Sequence, residues 1–196
     1  MPIREDIFAI SSLSKSERSA RWDATYRKLE LDRSNRTIFI FGGSQGSVAL
    51  NQVISESRSA LLAEGVQILH GIGARNAVPS EMDGYQSRGY ITDMATAYVG
   101  ADLIISRSGA VTCAEVNTFG RFALFIPLPI GNGEQELNAR DLVSQSRAEI
   151  LSQKEFTATW LTSNIKSLLT QSSTAPIAGS DIDINAASKM VSLMEH

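Results

Sequence analysis

Three short segments carry residue types that could hold a ligand, and each follows an apolar run. The first is Gly42-Gly43-Ser44-Gln45-Gly46. Its glycines let the main chain approach a ligand closely, and free amides at the start of a following helix suit a phosphate. The spacing is neither the dinucleotide G-x-G-x-x-G nor a P-loop, because no Lys-Ser/Thr follows, so a plain tight turn is the competing reading. The second is SRSGAVT, Ser106–Thr112, with Arg107 as a candidate positive charge. Glu115 lies four residues after Val111 and three after Thr112, which puts them on one helix face. A carboxylate there can accept from both hydroxyls of a ribose, as in dinucleotide folds; a solvated helix charge is the alternative. The third is PLPIGNGEQELNA, Pro127–Ala139, where Glu134, Gln135 and Asn138 gather at a helix start. Side-chain amides both donate and accept, which matches sugar hydroxyls and acetamido groups, although a capping cluster has the same composition.

Other chemistry is thinly represented. The chain has no H-E-x-x-H and no G-x-S-x-G elbow. One cysteine, Cys113, and two histidines, His70 and His196, exclude an internal disulfide and a structural zinc cluster. His70, directly after a strand, is read as structural, and Cys113 as a small buried hydrophobe. Asp181-Ile182-Asp183 has the D-x-D form, but it sits in a Ser/Ala/Gly/Pro-rich stretch and reads as capping or solvated.

The elements that must position these segments alternate short apolar runs with amphipathic ones, the signature of βα units. Strands are expected at Arg36–Phe41, Val66–Leu69, Tyr90–Ile91, Asp102–Ser106, Phe122–Ile126 and Ala148–Leu151. Helices are expected at Ser47–Ala63, from an Asp93 N-cap through Tyr98, at Ala110–Phe119, Gln135–Ser144 and Thr157–Leu169. Ser14–Leu29 has a helical period and reads as a surface helix before the first strand. Gln171–Ile182 reads as a flexible connector to a last helix, Asn185–Met194. The expected fold is α/β, a doubly wound, Rossmann-like parallel sheet over residues 1–170, with 171–196 as connector and C-terminal helix of the same domain.

Length and composition agree with that reading. At 196 residues, 43% hydrophobic and 20% charged, the chain is the size of one globular domain. A net charge of −3 offers no footprint for a nucleic-acid backbone. No apolar run reaches the ~18–20 residues that span a bilayer, and no secretory h-region opens the chain.

Taken in order, GGSQG-x-x-x-LN (Gly42–Asn51), His70 at a strand end, Tyr90-Ile91-Thr92-Asp93-Met94, ADLIISRSGAVTCAE (Ala101–Glu115) and Gln135-x-x-Asn138-Ala139 resemble the MurG family. These are GT-B glycosyltransferases, and PLPIGNGEQELNA is particularly similar to actinobacterial members. Pro2-Ile3-Arg4 resembles the motif that begins the family's C-terminal domain. The resemblance implies one half of a two-domain enzyme that moves GlcNAc from UDP-GlcNAc onto lipid I, with inversion, to make lipid II for peptidoglycan. It implies that Ser44 and the neighbouring amides of Gln45 and Gly46 face the donor diphosphate, with Arg4 nearby. Ile91 would read uracil through its backbone, and Met94 would pack on the nucleoside. Ala110, Val111 and Thr112 would line the diphosphate and sugar pocket, and Glu115 would hold the ribose hydroxyls. Gln135 and Asn138 would bind GlcNAc hydroxyls, with Glu134 beside them.

No catalytic base is expected in this chain. By resemblance the base, the lipid I site and the membrane contact belong to an N-terminal domain, so the chain alone is expected to be inactive. No metal, cofactor or nucleic-acid partner is implied. The implied location is cytoplasmic, peripheral on the inner face of the plasma membrane. Two departures stand out: Phe122 where the family usually has proline, and Ser146-Arg147-Ala148 in place of a glycine-rich stretch. A split GlcNAc-transferase subunit and a non-catalytic nucleotide-sugar module are the alternative functions.

Overall fold

The β-branched and aromatic residues of RTIFIF form the central strand, β1 (Arg36–Phe41), buried from Thr37 onward. The computed structural model describes residues 9, 17, 24, 26–80, 82–130 and 132–176. After β1 come α1 (Val48–Ala63), β2 (Val66–Gly71), β3 (Tyr85–Arg88), α2 (Met94–Gly100), β4 (Leu103–Ser106) and α3 (Ala110–Phe119). Then follow β5 (Phe122–Phe125), α4 (Glu134–Ser144), β6 (Ala148–Ile150) and α5 (Ala158–Thr174). The six strands lie in the order β3-β2-β1-β4-β5-β6, and every pairing is parallel.

Alternate residues along each strand feed two cores, one on each face of the sheet. Phe39, Leu69, Ile104 and Phe125 pack with Tyr98 of α2, Val116 of α3 and Leu142 of α4. Ile38, Ile68, Ile105 and Leu124 pack with Leu50 and Ile54 of α1 and with Leu161 and Ile165 of α5. Coverage on both sides explains why these strands read as continuous apolar runs rather than alternating ones. The doubly wound expectation holds.

Several boundaries differ from expectation, each for a local reason. The third strand is Tyr85–Arg88 rather than Tyr90–Ile91. As an edge strand it buries only alternate residues and carries Gln and Arg, so its apolar signal is weak, whereas Tyr90 and Ile91 follow it in a loop. The last described helix continues past Leu169 to Thr174. Its Ser/Thr hydroxyls donate back along the helix, Thr170 to the Lys166 carbonyl at 2.8 Å, while Ser172 donates across to the Asp102 carbonyl. Residues 17, 24 and 26–28 of the expected 14–29 helix are helical. Arg4, Asp181, Asp183 and the expected 185–194 helix lie outside the described residues.

The two family departures have evident local accommodations. Phe122 starts β5 as a buried core residue. Ser146 adopts the left-handed region at φ 56°, and Arg147 inserts beneath α3, donating to the Asn117 side chain and, at 2.9 Å, to its carbonyl.

Candidate functional site

The strand order reverses between β1 and β4, and the crevice outside their carboxyl ends is where ligands bind in such sheets. A cleft of about 300 Å³ lies there, between the ends of β1 and β2, the loop after β3, and the first turns of α2 and α3. In-register pairing of Phe41 with Gly71 and with Ser106 brings the three strand ends level, so their loops converge.

The first turn is built from backbone. Gly43 and Gly46 sit at φ 90° and 75°, and the Gly46 amide donates to the Gly43 carbonyl at 3.0 Å. The loop folds onto the residues after β2: a Cβ on Gly46 would fall 1.9 Å from the Ile72 oxygen, so only glycine fits. Ser47 then caps α1, accepting from the Leu50 amide. Ser44 lines the cleft, whereas the Gln45 carbonyl faces away and accepts from Asn76 Nδ2 at 3.1 Å.

The second turn is built from side chains. Gly109 caps α3 with no side-chain bond to the first-turn amides, and Val111 and Thr112 line the cleft. Glu115 also lines it, yet it is only 4% exposed, so it is not a solvated helix charge. Its Oε2 accepts from the Tyr98 hydroxyl at 2.9 Å. Tyr98 is itself fixed, stacked on Phe119 and meeting Phe39 and Phe41 edge-on. The result is an oriented carboxylate at the cleft wall. Ile91 and Met94 complete the opposite wall, where the Asp93 carboxylate caps α2 by accepting from the Thr96 amide at 2.9 Å.

The third segment is arranged differently. Gln135 Oε1 accepts from the Leu128 amide at 2.9 Å, and Asn138 Nδ2 donates to the Ser108 carbonyl at 3.1 Å. Half of each amide therefore holds the loop shape. Glu134, Gln135 and Asn138 stand beside the cleft rather than in its wall, as do Gln45, Gly46 and Ala110.

Arg107 corrects the reading of it as a positive charge offered to a ligand. Its guanidinium turns inward, donating to the Ile126 and Pro127 carbonyls at 3.0 and 3.1 Å, to Ser47 Oγ at 2.9 Å and to Gln153 Oε1 at 2.5 Å. It ties together the loops after β1, β4, β5 and β6. Among the described residues of the cleft wall, Glu115 is the only charged one. His70 is structural as expected: it is 1% exposed, with both ring nitrogens in hydrogen bonds. Burial and the Arg58 charge push its pKa down to about 4. Burial pushes the Cys113 thiol up to about 12, which leaves it an inert core residue.

Sequence reasoning missed Tyr98 as the partner of Glu115 and Asn76 as the fastener of the glycine turn. For Tyr98 the signal was its aromatic neighbourhood, which only the packed sheet assembles. Among the described residues no group of three or more acidic, His or Cys side chains could hold a metal, and no helix is long and apolar enough to cross a membrane.

Sheet order, glycine turn and buried carboxylate together define a Rossmann-like domain, and its fold matches that of GT-B glycosyltransferase halves. The chain belongs to glycosyltransferase family 28, whose C-terminal domain matches residues 37–195. It is 41% identical over 158 residues to the UDP-N-acetylglucosamine--N-acetylmuramyl-(pentapeptide) pyrophosphoryl-undecaprenol N-acetylglucosamine transferase of Corynebacterium glutamicum (strain R), covering 81% of this chain and 43% of that one. The protein of the same name from Paenarthrobacter aurescens (strain TC1) is 38% identical over 179 residues, covering 88% and 46%. The crystal structure of Acinetobacter baumannii MurG superposes with a TM-score of 0.61 at 29% identity, over 84% of this chain and 53% of that one. The wall teichoic acid polymerase TagF (H444N variant) shares the fold alone, with a TM-score of 0.58 at 12% identity, over 95% and 46%. The chain spans a little under half the length of these curated relatives.

Proposed function

We propose that the cleft binds UDP-GlcNAc and forms the donor half of an inverting transferase that adds GlcNAc to lipid I, making lipid II. The observation that carries this reading is the Glu115 carboxylate, buried in the cleft wall and oriented by Tyr98, about one and a half helical turns from the N-terminus of α3. A carboxylate so placed accepts from the ribose 2′- and 3′-hydroxyls. Ile91 and Met94 flank the uracil. Ser44, the amides of residues 43–46 and the first turn of α3, with Ala110, Val111 and Thr112, surround the diphosphate. Gln135, Asn138 and Glu134 approach the GlcNAc from α4, and Arg4 adds its charge to the diphosphate.

As UDP leaves, negative charge grows on the diphosphate, and fixed amides and the α3 N-terminus stabilise it without reorganising. The acceptor hydroxyl needs a base within hydrogen-bond reach. His70 does not serve: it is buried, and neither ring nitrogen is open to a ligand. The base, the lipid I site and peripheral contact with the cytoplasmic membrane face are assigned to an N-terminal domain like that of the longer relatives.

Calorimetric titration of the full chain with UDP-GlcNAc, UDP and 2′-deoxy-UDP tests the reading. UDP and UDP-GlcNAc bind, deoxy-UDP binds more weakly, and Glu115→Ala loses roughly tenfold in UDP affinity while erasing the deoxy preference. A folded chain that takes up neither UDP nor UDP-GlcNAc overturns it. Transfer to lipid I by this chain alone overturns the division of labour.

A further inference from the structure

A chain of hydrogen bonds runs from the far face of the sheet to the glycine turn, through residues that never meet the cleft. Its members come from β3, β2, α1 and the loop after β2. The Tyr85 hydroxyl lies 2.8 Å from His70 Nδ1, and Asn51 Oδ1 lies 3.1 Å from His70 Nε2. Asn51 Nδ2 donates to the Ile72 carbonyl at 2.9 Å. Asn76 Nδ2 donates to the same carbonyl at 3.0 Å and to the Gln45 carbonyl at 3.1 Å.

The proton positions follow from the last carbonyl backwards. A carbonyl oxygen only accepts, so the Asn51 atom facing Ile72 is the NH2 group and its oxygen faces His70. His70 Nε2 therefore carries the hydrogen, Nδ1 is the acceptor, and the Tyr85 hydroxyl donates. Protonating the ring would place a second N–H against that hydroxyl and force it to turn. Among the described residues, the titratable and charged groups facing the imidazole are Tyr85 and Arg58, whose guanidinium lies 5.2 Å from the Tyr85 ring centre. Burial and the Arg58 charge favour the neutral ring.

The relay ends on the atom against which the turn is built. The Ile72 oxygen takes two side-chain donors and is the contact that excludes a Cβ at Gly46, while a Cβ on Gly73 would fall 2.4 Å from the Gly46 amide nitrogen. The position of Gly46, and with it the amides of residues 43–46, is set by where that carbonyl points. Along β2, Leu69 joins the core on the α2–α4 side and Ile68 the core on the α1 side, so His70 projects toward α1.

We propose that His70, acting through Asn51 and the Ile72 carbonyl, is a positioning residue that holds the glycine turn in its diphosphate-binding shape. The inference rests on the donor-site reading above for its ligand, but not for its geometry. It distinguishes the phosphate part of the ligand from the nucleoside part, because Glu115 and Met94 stand on α3 and α2, which supply no member of the relay.

Two measurements on the full chain test it. In titrations with UDP and with uridine, His70→Leu loses roughly tenfold in UDP affinity while uridine affinity stays within about twofold. His70→Gln, which keeps an N–H for Asn51, recovers most of the loss. Amide hydrogen exchange at residues 43–47 accelerates in His70→Leu and returns toward wild type in His70→Gln. Asn76→Ala, which leaves the core intact, reproduces both effects if His70→Leu does not fold. Unchanged exchange at the turn, or equal losses for UDP and uridine, overturns the relay. If the wild-type chain binds no UDP, the donor-site reading fails, and the exchange experiment still decides whether the relay holds the turn.

Discussion

The two strand-to-helix turns that flank the switch point perform similar tasks by opposite means. After β1 the chain uses glycines at positive φ, so the backbone itself is the working surface, and its shape is held from outside by Asn76 and the Ile72 carbonyl. In the turn after β4 the glycine, Gly109, sits at φ −63°, and the turn works through side chains directed in two senses. Arg107 points inward and fastens neighbouring loops, and Glu115 faces the cleft. A backbone surface tolerates no added atom, whereas a side-chain surface depends on the partners that aim each group.

Gly46→Ala is the sharpest way to break that contrast. A Cβ there meets the Ile72 oxygen at 1.9 Å and φ 75°. Left-handed strain plus overpacking should remove about 4 kcal/mol of unfolding free energy in a denaturant titration. Gly109→Ala has only Thr112 Oγ1 at 3.9 Å nearby and should stay within about 0.5 kcal/mol. Equal losses at the two glycines would remove the distinction between the turns.

The outside support of the first turn has a pH signature. His70 titrates near 4 in the folded chain against an ordinary 6.5, with burial the main cause and the Arg58 charge second. Between those values the unfolded chain binds more protons, so stability falls as the pH drops through that window. The total is about 3 kcal/mol, with no further loss from this group below it. Denaturant titrations at pH 7 and pH 4 should show that slope in wild type and its absence in His70→Gln. The same slope in both would remove His70 as its source.

On the second turn, Arg107→Met leaves the Ile126 and Pro127 carbonyls without their donor and should cost about 2 kcal/mol. Arg107→Lys should recover little, since one ammonium cannot span four acceptors that a planar fork reaches. Full recovery by lysine would mean that charge, not geometry, matters there. The smallest effect is expected for Tyr98→Phe, which removes the hydroxyl that orients Glu115. About a threefold weaker UDP affinity with little change in stability is the expected result. No change would leave Glu115 aimed by its backbone alone.

Much of this was legible before the fold. Residues 42–46 lie where an apolar run meets an amphipathic one, so periodicity alone places them on the carboxyl edge of a sheet. Glu115 follows Val111 and Thr112 at helical spacing, which already put all three on one face. The third strand was not legible, because an edge strand half-covered by neighbours needs few apolar residues, and Tyr90-Ile91 offered a stronger local signal. Arg107 was misread because a long flexible side chain has no direction in sequence. Its Ser47 partner is 60 residues away.

By itself the sequence determined the order of elements, the doubly wound class and the position of the glycine turn. Those depend on apolar spacing and on which residues tolerate positive φ, both local properties. Only the tertiary structure decided that Arg107 fastens loops instead of facing a ligand, that Tyr98 aims Glu115, and that His70 stands behind the glycine turn. A hydrogen bond between side chains from separate elements exists only once the sheet has set their distance and angle, and burial then makes leaving it unmade costly.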